Sequence, residues 1–103
     1  MPERKHLPNR RQHEVLDFEH GGIRYTAGAG RFEDGGLAEI FLTTAKQGTA
    51  VDVNARDAAV AASLLLQHGC HVETLRKALT RNGDGSASGP LGRALDLLAV
   101  EGG

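Results

Sequence analysis

Residues 57–70, DAAVAASLLLQHGC, decide how the rest of the chain is read. Between Ala58 and Leu66 only Ser63 interrupts a run of alanine, valine and leucine. That run is too long for a typical strand and far short of the about 20 apolar residues a membrane span needs. Alanine and leucine are strong helix formers, so the stretch predicts a helix. A surface helix carries one apolar stripe; this one is apolar nearly all round, which predicts burial on several sides. Gly69 suits the left-handed residue that follows a helix, and His68 stands near the last carbonyls. The chain must then supply a sheet on one side and further helices, or another subunit, elsewhere.

Upstream, the hydrophobic period is two. In residues 14–19 Leu16 and Phe18 share one face, with Asp17 and Glu19 on the other. His20-Gly21-Gly22 predicts a turn, and Ile23, Tyr25 and Ala27 alternate again, which makes a hairpin. Gly28-Ala29-Gly30 continues this second strand with a bulge. Residues 33–36 form a second turn, and residues 37–44 a third strand with Ala38, Ile40 and Leu42 on one face and Leu37, Glu39 and Phe41 on the other. The central helix is expected to start near Asp52 or Asn54, both good N-caps. Val72, Leu75, Ala78 and Leu79 recur at helical spacing in a second helix over 72–79. Ser88 is expected to cap a third, with Pro90 in its first turn and Leu91, Leu95 and Leu98 on one face. Three strands followed by three helices predict an α+β domain, a three-stranded antiparallel meander with the helices packed on one face.

At 103 residues the chain is the size of one domain. Residues 1–13 hold Arg4, Lys5, Arg10 and Arg11 against Glu3, a local +3 that leaves −4 on the rest of a chain whose net charge is −1. A flexible basic tail is expected there, a folded domain over 14–100, and a frayed end over 101–103. The acidic body argues against nucleic acid, leaving only the tail as a candidate arm for it. Cys70 is the only cysteine, which excludes an internal disulfide. Neither an apolar leader nor a membrane span is visible, so a cytoplasmic setting is expected.

Tests for chemistry are mostly negative. Gly28-Ala29-Gly30 fails as a dinucleotide loop, since Glu33 stands where a third glycine belongs and no helix follows. Residues 82–86 resemble part of a calcium loop, but Ala87 and Arg93 stand where glycine and a bidentate carboxylate are needed. His68, Cys70 and His71 are metal-ligand types, yet neighbours at one corner cannot converge on an ion; Cys70 reads as a small core residue and a metal shared by two copies as the alternative. Lys46, Gly48 and Thr49 lead into the central helix, where free amides and an ammonium could hold an anion. Ser63 is expected to bond back within its own helix. Asp57 and Glu39 do not group with a base or nucleophile. No catalytic constellation and no cofactor site emerges.

The order of segments resembles the TSCPD domain, a small module at the carboxyl end of many adenosylcobalamin-dependent ribonucleotide reductases that also occurs as short separate proteins. Ala38-Glu39-Ile40-Phe41-Leu42 resembles its Glu-Val-Phe strand, and Ala45-Lys46-Gln47-Gly48-Thr49 its Gly-Lys-x-Gly-Ser turn. Residues 63–70 resemble its helix ending in a Gly-Val step, followed by the short helix and the Ser/Pro-led final helix. The likeness covers about residues 23–99. It departs at the naming motif, where Ala87-Ser88-Gly89-Pro90-Leu91 stands for Thr-Ser-Cys-Pro-Asp, and near Arg81 or Asn82, where the family often has a second cysteine. A metal or thiol role for those cysteines therefore does not carry over.

The resemblance implies an accessory module linked to ribonucleotide reduction, without the radical-forming or substrate-binding parts, for which 103 residues are too few. The expected activity is self-association or binding to a larger enzyme subunit. Val60, Leu64, Leu65 and Leu66 of the apolar helix are the expected interface. The rival readings are an anion or nucleotide sensor at Lys46, Gly48 and Thr49, and nucleic-acid association through the basic arm.

Overall fold

The structure, a computed structural model, describes residues 13–101, so the expected basic tail, except His13, and the last two residues lie outside the described residues. Strands β1 (His13–His20), β2 (Ile23–Arg31) and β3 (Leu37–Thr44) are followed by helices α1 (Ala50–Gln67), α2 (Val72–Ala78) and α3 (Pro90–Glu101). The sheet is the expected antiparallel meander, in the order β1-β2-β3. Its first hairpin closes through Gly21 and Gly22, at φ 59° and 80°. Consecutive left-handed residues are what a two-residue turn between twisted strands requires.

The expected bulge exists, but on the other strand. Gly28, Ala29 and Gly30 pair regularly with Phe41, Ile40 and Glu39; Arg31 then pairs with Leu37, so the extra residue is Ala38 on β3. The irregularity lets Leu37 and Ala38, adjacent in sequence, both be buried. Gly30 has a different use. A Cβ there would stand 2.7 Å from Oε1 of Glu39, so the glycine leaves room for that side chain to lie over the sheet.

The core joins Phe18, Tyr25, Ala27, Ala29, Ile40 and Leu42 of the sheet to Ala55, Ala59, Ala62 and Leu66 of α1 and to Ala94, Leu95 and Leu98 of α3. Phe18 and Tyr25 stack across the β1–β2 ladder at 5.4 Å. Small residues dominate where α1 meets the sheet, and that lets the helix backbone come close. Arg31, itself buried, adds a polar tie: its guanidinium donates to Glu14 of β1 and, at 3.0 Å, to the carbonyl of Leu98 in the last turn of α3.

Three local expectations are corrected. Helix α1 starts earlier than Asp52 or Asn54. Thr49 is its N-cap, with Oγ accepting from the Asp52 amide at 3.2 Å, and Asp52 lies inside the first turn. Ser88 does not cap α3. Its hydroxyl donates to Oδ1 of Asn82 at 2.7 Å, while the Gly89 carbonyl accepts the first helical bond from Arg93. Ser63 does not bond within its helix. It reaches across to β3, accepting from the Ile40 amide at 2.9 Å and donating to the Ile40 carbonyl at 3.0 Å.

That last contact explains how α1 sits. β3 is an edge strand, and its residues of even number turn their amide and carbonyl groups away from β2. An open row of this kind invites pairing with another chain. Here α1 covers it: Gln67 donates to the Ala38 carbonyl, Ser63 takes both groups of Ile40, and Asp52 accepts from the Thr44 amide at 2.9 Å. Ser63→Ala strips both groups of Ile40 of that partner. It is expected to lower the unfolding free energy by about 1–3 kcal/mol in urea denaturation. A loss below a few tenths would show that solvent replaces the hydroxyl.

Candidate functional site

Helix α1 carries two stripes, one wholly apolar and one apolar except for Asp57, each with the four-three-four spacing that keeps side chains on one line of a helix. One is Ala55, Ala59, Ala62 and Leu66, all buried against the sheet. The other is Val53, Asp57, Val60 and Leu64, on the opposite side. Val60 is 57% exposed, and Val53 and Leu64 are each 43% exposed. The helix is thus buried along one side only, not on several, because nothing among the described residues covers the second stripe. Leu65 is exposed as well, whereas Leu66 is a core residue and leaves the expected interface.

The outward stripe continues onto the sheet edge. A groove of about 270 Å³ between β3 and α1 is lined by Phe41, Leu42, Arg56, Val60, Ser63 and Leu64. Phe41 stands 52% exposed on the face of the sheet away from the helices, in the same cross-strand row as Gly28 and the exposed Val15. Arg56 is the cation at the groove, held by its Nε at 2.8 Å from Oδ2 of Asp52. Phe41, Val53 and Arg56 were not picked out from the sequence as interface residues. The four-three-four spacing through 53, 57, 60 and 64 was the available signal for the helical part.

The turn at Lys46, Gly48 and Thr49 holds an anion of its own. The Asp52 carboxylate accepts from the amides of Thr44 and Gly48 and from Arg56, and Thr49 donates to the Lys46 carbonyl at 2.9 Å. The Thr44 amide, then Arg56, holds the Asp52 carboxyl down at about 2. The amide of Gly48 that an external anion would use is therefore engaged by an internal one. Lys46 stays exposed.

His68, Cys70 and His71 border a second groove of about 350 Å³. Nδ1 of His68 lies 2.8 Å from the Leu64 carbonyl, and the Cys70 thiol points to the carbonyl of His71. Cys70 is half-buried and packs against the core. Among the described residues no three histidine, cysteine or carboxylate side chains are placed to hold a metal ion. Glu39 and Asp57 lie on separate elements, one buried over the sheet and one exposed on α1. Ser63 is engaged by Ile40. None of these groups converge.

The densest charge cluster is structural. Asp96 of α3 receives Arg81 at 2.6 and 2.9 Å and Arg76 at 2.8 Å, and Arg76 also meets Glu73 at 2.6 Å. Arg81, then Arg76, pulls the Asp96 carboxyl down to about 2 against the effect of desolvation. Every cation faces a carboxylate, so the cluster clamps α2 and the 81–88 loop to α3. The positions where the family resemblance led to expect cysteine, near Arg81 or Asn82 and at Gly89, lie at the two ends of this loop. The Asn82–Ser88 hydrogen bond and the Arg81–Asp96 pair hold them instead.

A third cleft, about 400 Å³, opens between the start of α1 and the start of α3, lined by Tyr25, Val51, Ala58, Leu79, Pro90 and Leu91. Among the described residues lining it, the titratable side chain is Tyr25, whose hydroxyl pKa is pushed up by burial. Among the described residues no helix is long and apolar enough to cross a membrane.

No protein-family model matches the chain, and no solved structure matches it. Two curated proteins do. A vitamin B12-dependent ribonucleotide reductase of Agrobacterium fabrum is 38% identical over 78 residues, and one of Bradyrhizobium diazoefficiens is 34% identical over 80. These alignments cover 76% and 78% of this chain but only 6% of each reductase. By sequence, most of this chain is homologous to one short segment of B12-dependent ribonucleotide reductases.

Proposed function

We propose that the chain is a non-catalytic accessory module of the TSCPD kind, linked to ribonucleotide reduction in the cytoplasm, that works by binding protein. The observation that carries this reading is the apolar surface formed by Phe41, Val60 and Leu64 around the β3–α1 groove, beside a helix whose other side is already packed. Scattered exposed apolar residues need no explanation, but a contiguous patch with a polar margin marks a contact surface. The homology to a small part of much larger reductases supports a reductase as the protein bound. The ionisable groups support the non-catalytic part. Asp52 and Asp96 sit in satisfied ion pairs, and Glu39 and Asp57 lie on separate elements.

The test is direct. A B12-dependent reductase from which the homologous segment has been deleted is titrated with this chain by calorimetry. Saturable binding is expected, weakened at least about tenfold by Phe41→Ser, which removes a half-exposed aromatic anchor without touching the core. No heat of binding to the deleted reductase overturns the proposal.

A further inference from the structure

We infer that the cleft between the starts of α1 and α3 binds a small apolar carboxylate, which caps α3 from outside and lies along the aliphatic side chains around it. The site is separate from the β3–α1 groove and shares only the buried Leu42 with it.

The start of α3 lacks the groups that usually finish a helix. Its N-cap is Gly89, which has no side chain, and the nearest hydroxyl, on Ser88, is turned to Asn82. Pro90 carries no amide hydrogen, and no acidic residue stands in the first turn. The first N–H groups of a helix point back along its axis and need acceptors from outside it. Here the amides of Leu91 and Gly92 have no acceptor among the described residues, and Gly92 is buried. Helix α1 shows the contrast, its start closed by the Thr49 hydroxyl.

A further donor faces them from the sheet. Tyr25 is 4% exposed, and its hydroxyl has no hydrogen-bond partner among the described residues. A phenol buried this deeply ordinarily bonds to something. Its ring stacks on Phe18 and lines the cleft together with Gly89, Leu91 and Gly92, and its oxygen is not sealed off by the protein. Burial keeps the proton on that oxygen, so it donates.

These donors define the head of the ligand, and the walls define its body. Two amides and a phenol, all neutral, at the positive end of a helix suit a single negative charge. Among the described residues no lysine, arginine or histidine lines the cleft, so a doubly charged phosphate has no counter-ion there. The walls are Leu42, Val51, Ala55, Ala58 and Leu79. A volume of about 400 Å³ holds an acid of medium chain length. The same head stands on a free acid and at the end of an apolar peptide, and the experiment separates the two.

NMR titration of the full chain with octanoate, kept below its micelle concentration, tests the inference. Saturable binding is expected, with the Leu91 and Gly92 amide resonances shifting most. Octanol, which keeps the body without the charge, and acetate, which keeps the charge without the body, should each bind at least about tenfold more weakly. Tyr25→Phe retains the ring and loses the donor, and should weaken octanoate by a similar factor. Gly89→Asp supplies an internal carboxylate to the same amides. A Cβ at Gly89 meets nothing within 4 Å, so this variant should melt higher than the parent while losing octanoate binding at least about tenfold. A short apolar peptide with a free carboxyl end forms the other arm. Tighter binding of the peptide, lost when its end is amidated, makes a chain end the source; tighter binding of octanoate makes it a free acid. Absence of saturation by both acids overturns the inference, as does octanol binding as well as octanoate. So does binding indifferent to Tyr25→Phe and Gly89→Asp, or shifts confined to the groove at Val60 and Leu64.

Discussion

Replacing Leu95 with alanine is expected to lower the free energy of unfolding by about 2–5 kcal/mol, a large part of what a domain of this size possesses. Leu95 is completely buried, as is its neighbour Ala94, and it fills the space between α3 and the sheet. The core around it is lean. Alanines at 27, 29, 38, 55, 59 and 62 bring backbones together but supply little side-chain area, so the leucines carry a disproportionate share of the apolar burial. The backbones are already close and cannot collapse far into the vacated volume, which places the cost toward the upper part of that range. Urea denaturation measures it, with the midpoint falling and the slope unchanged. A loss below about 1 kcal/mol would show that α3 resettles on the sheet and that the site is softer than its burial implies.

Acid is expected to destabilise the fold through Asp52 and Asp96, both held at about 2 from an ordinary 3.8. A carboxyl whose folded value lies below its unfolded value contributes stability that is fully present above the unfolded value. That contribution is lost as pH falls through the folded one. The window is therefore about pH 4 down to about pH 2, and neutral conditions keep the whole effect. Asp52→Asn gives the sharper form of the experiment. The amide keeps the shape and can accept from Thr44, but it turns an N–H toward Gly48 or Arg56. The variant should be less stable than the parent at pH 7, with the gap narrowing as the parent is acidified toward pH 2. A gap that stays constant from pH 7 to pH 2 would mean that the Asp52 charge does not contribute, and only its shape does.

Much of the fold was legible because its signals are local. The alternation of Leu16 with Phe18 and of Ile23, Tyr25 and Ala27, broken by Gly21-Gly22, specifies a hairpin without reference to anything distant. Pro90 and the spacing of Leu91, Leu95 and Leu98 do the same for α3. The misplaced features depend on partners far along the chain. Ser63 bonds a strand residue 23 positions away, and a serine inside an apolar run carries no mark of that. Asp52 looked like a cap because caps and buried acceptors use the same residue type; the amide of Thr44 decides between them. The bulge at Ala38 lets Leu37 be buried, and of the glycines that seemed to announce it on β2, Gly30 makes room for Glu39 and Gly28 lies beside Phe41.

The candidate surface was half legible. Val60, Leu64, Leu65 and Leu66 were read from the sequence as one contact surface; the first three are exposed, whereas Leu66 belongs to the core. A run as apolar as residues 57–70 satisfies the pattern for burial on every side. Sequence alone determined that a long apolar helix follows a three-stranded meander and ends at Gly69. Which of the two stripes of that helix faces the sheet, only the tertiary structure decided. Both have the same spacing, so periodicity cannot rank them. Packing can: β3 needs Asp52, Ser63 and Gln67 to cover its open edge, and only the alanine stripe lets the helix come close enough for those side chains to reach.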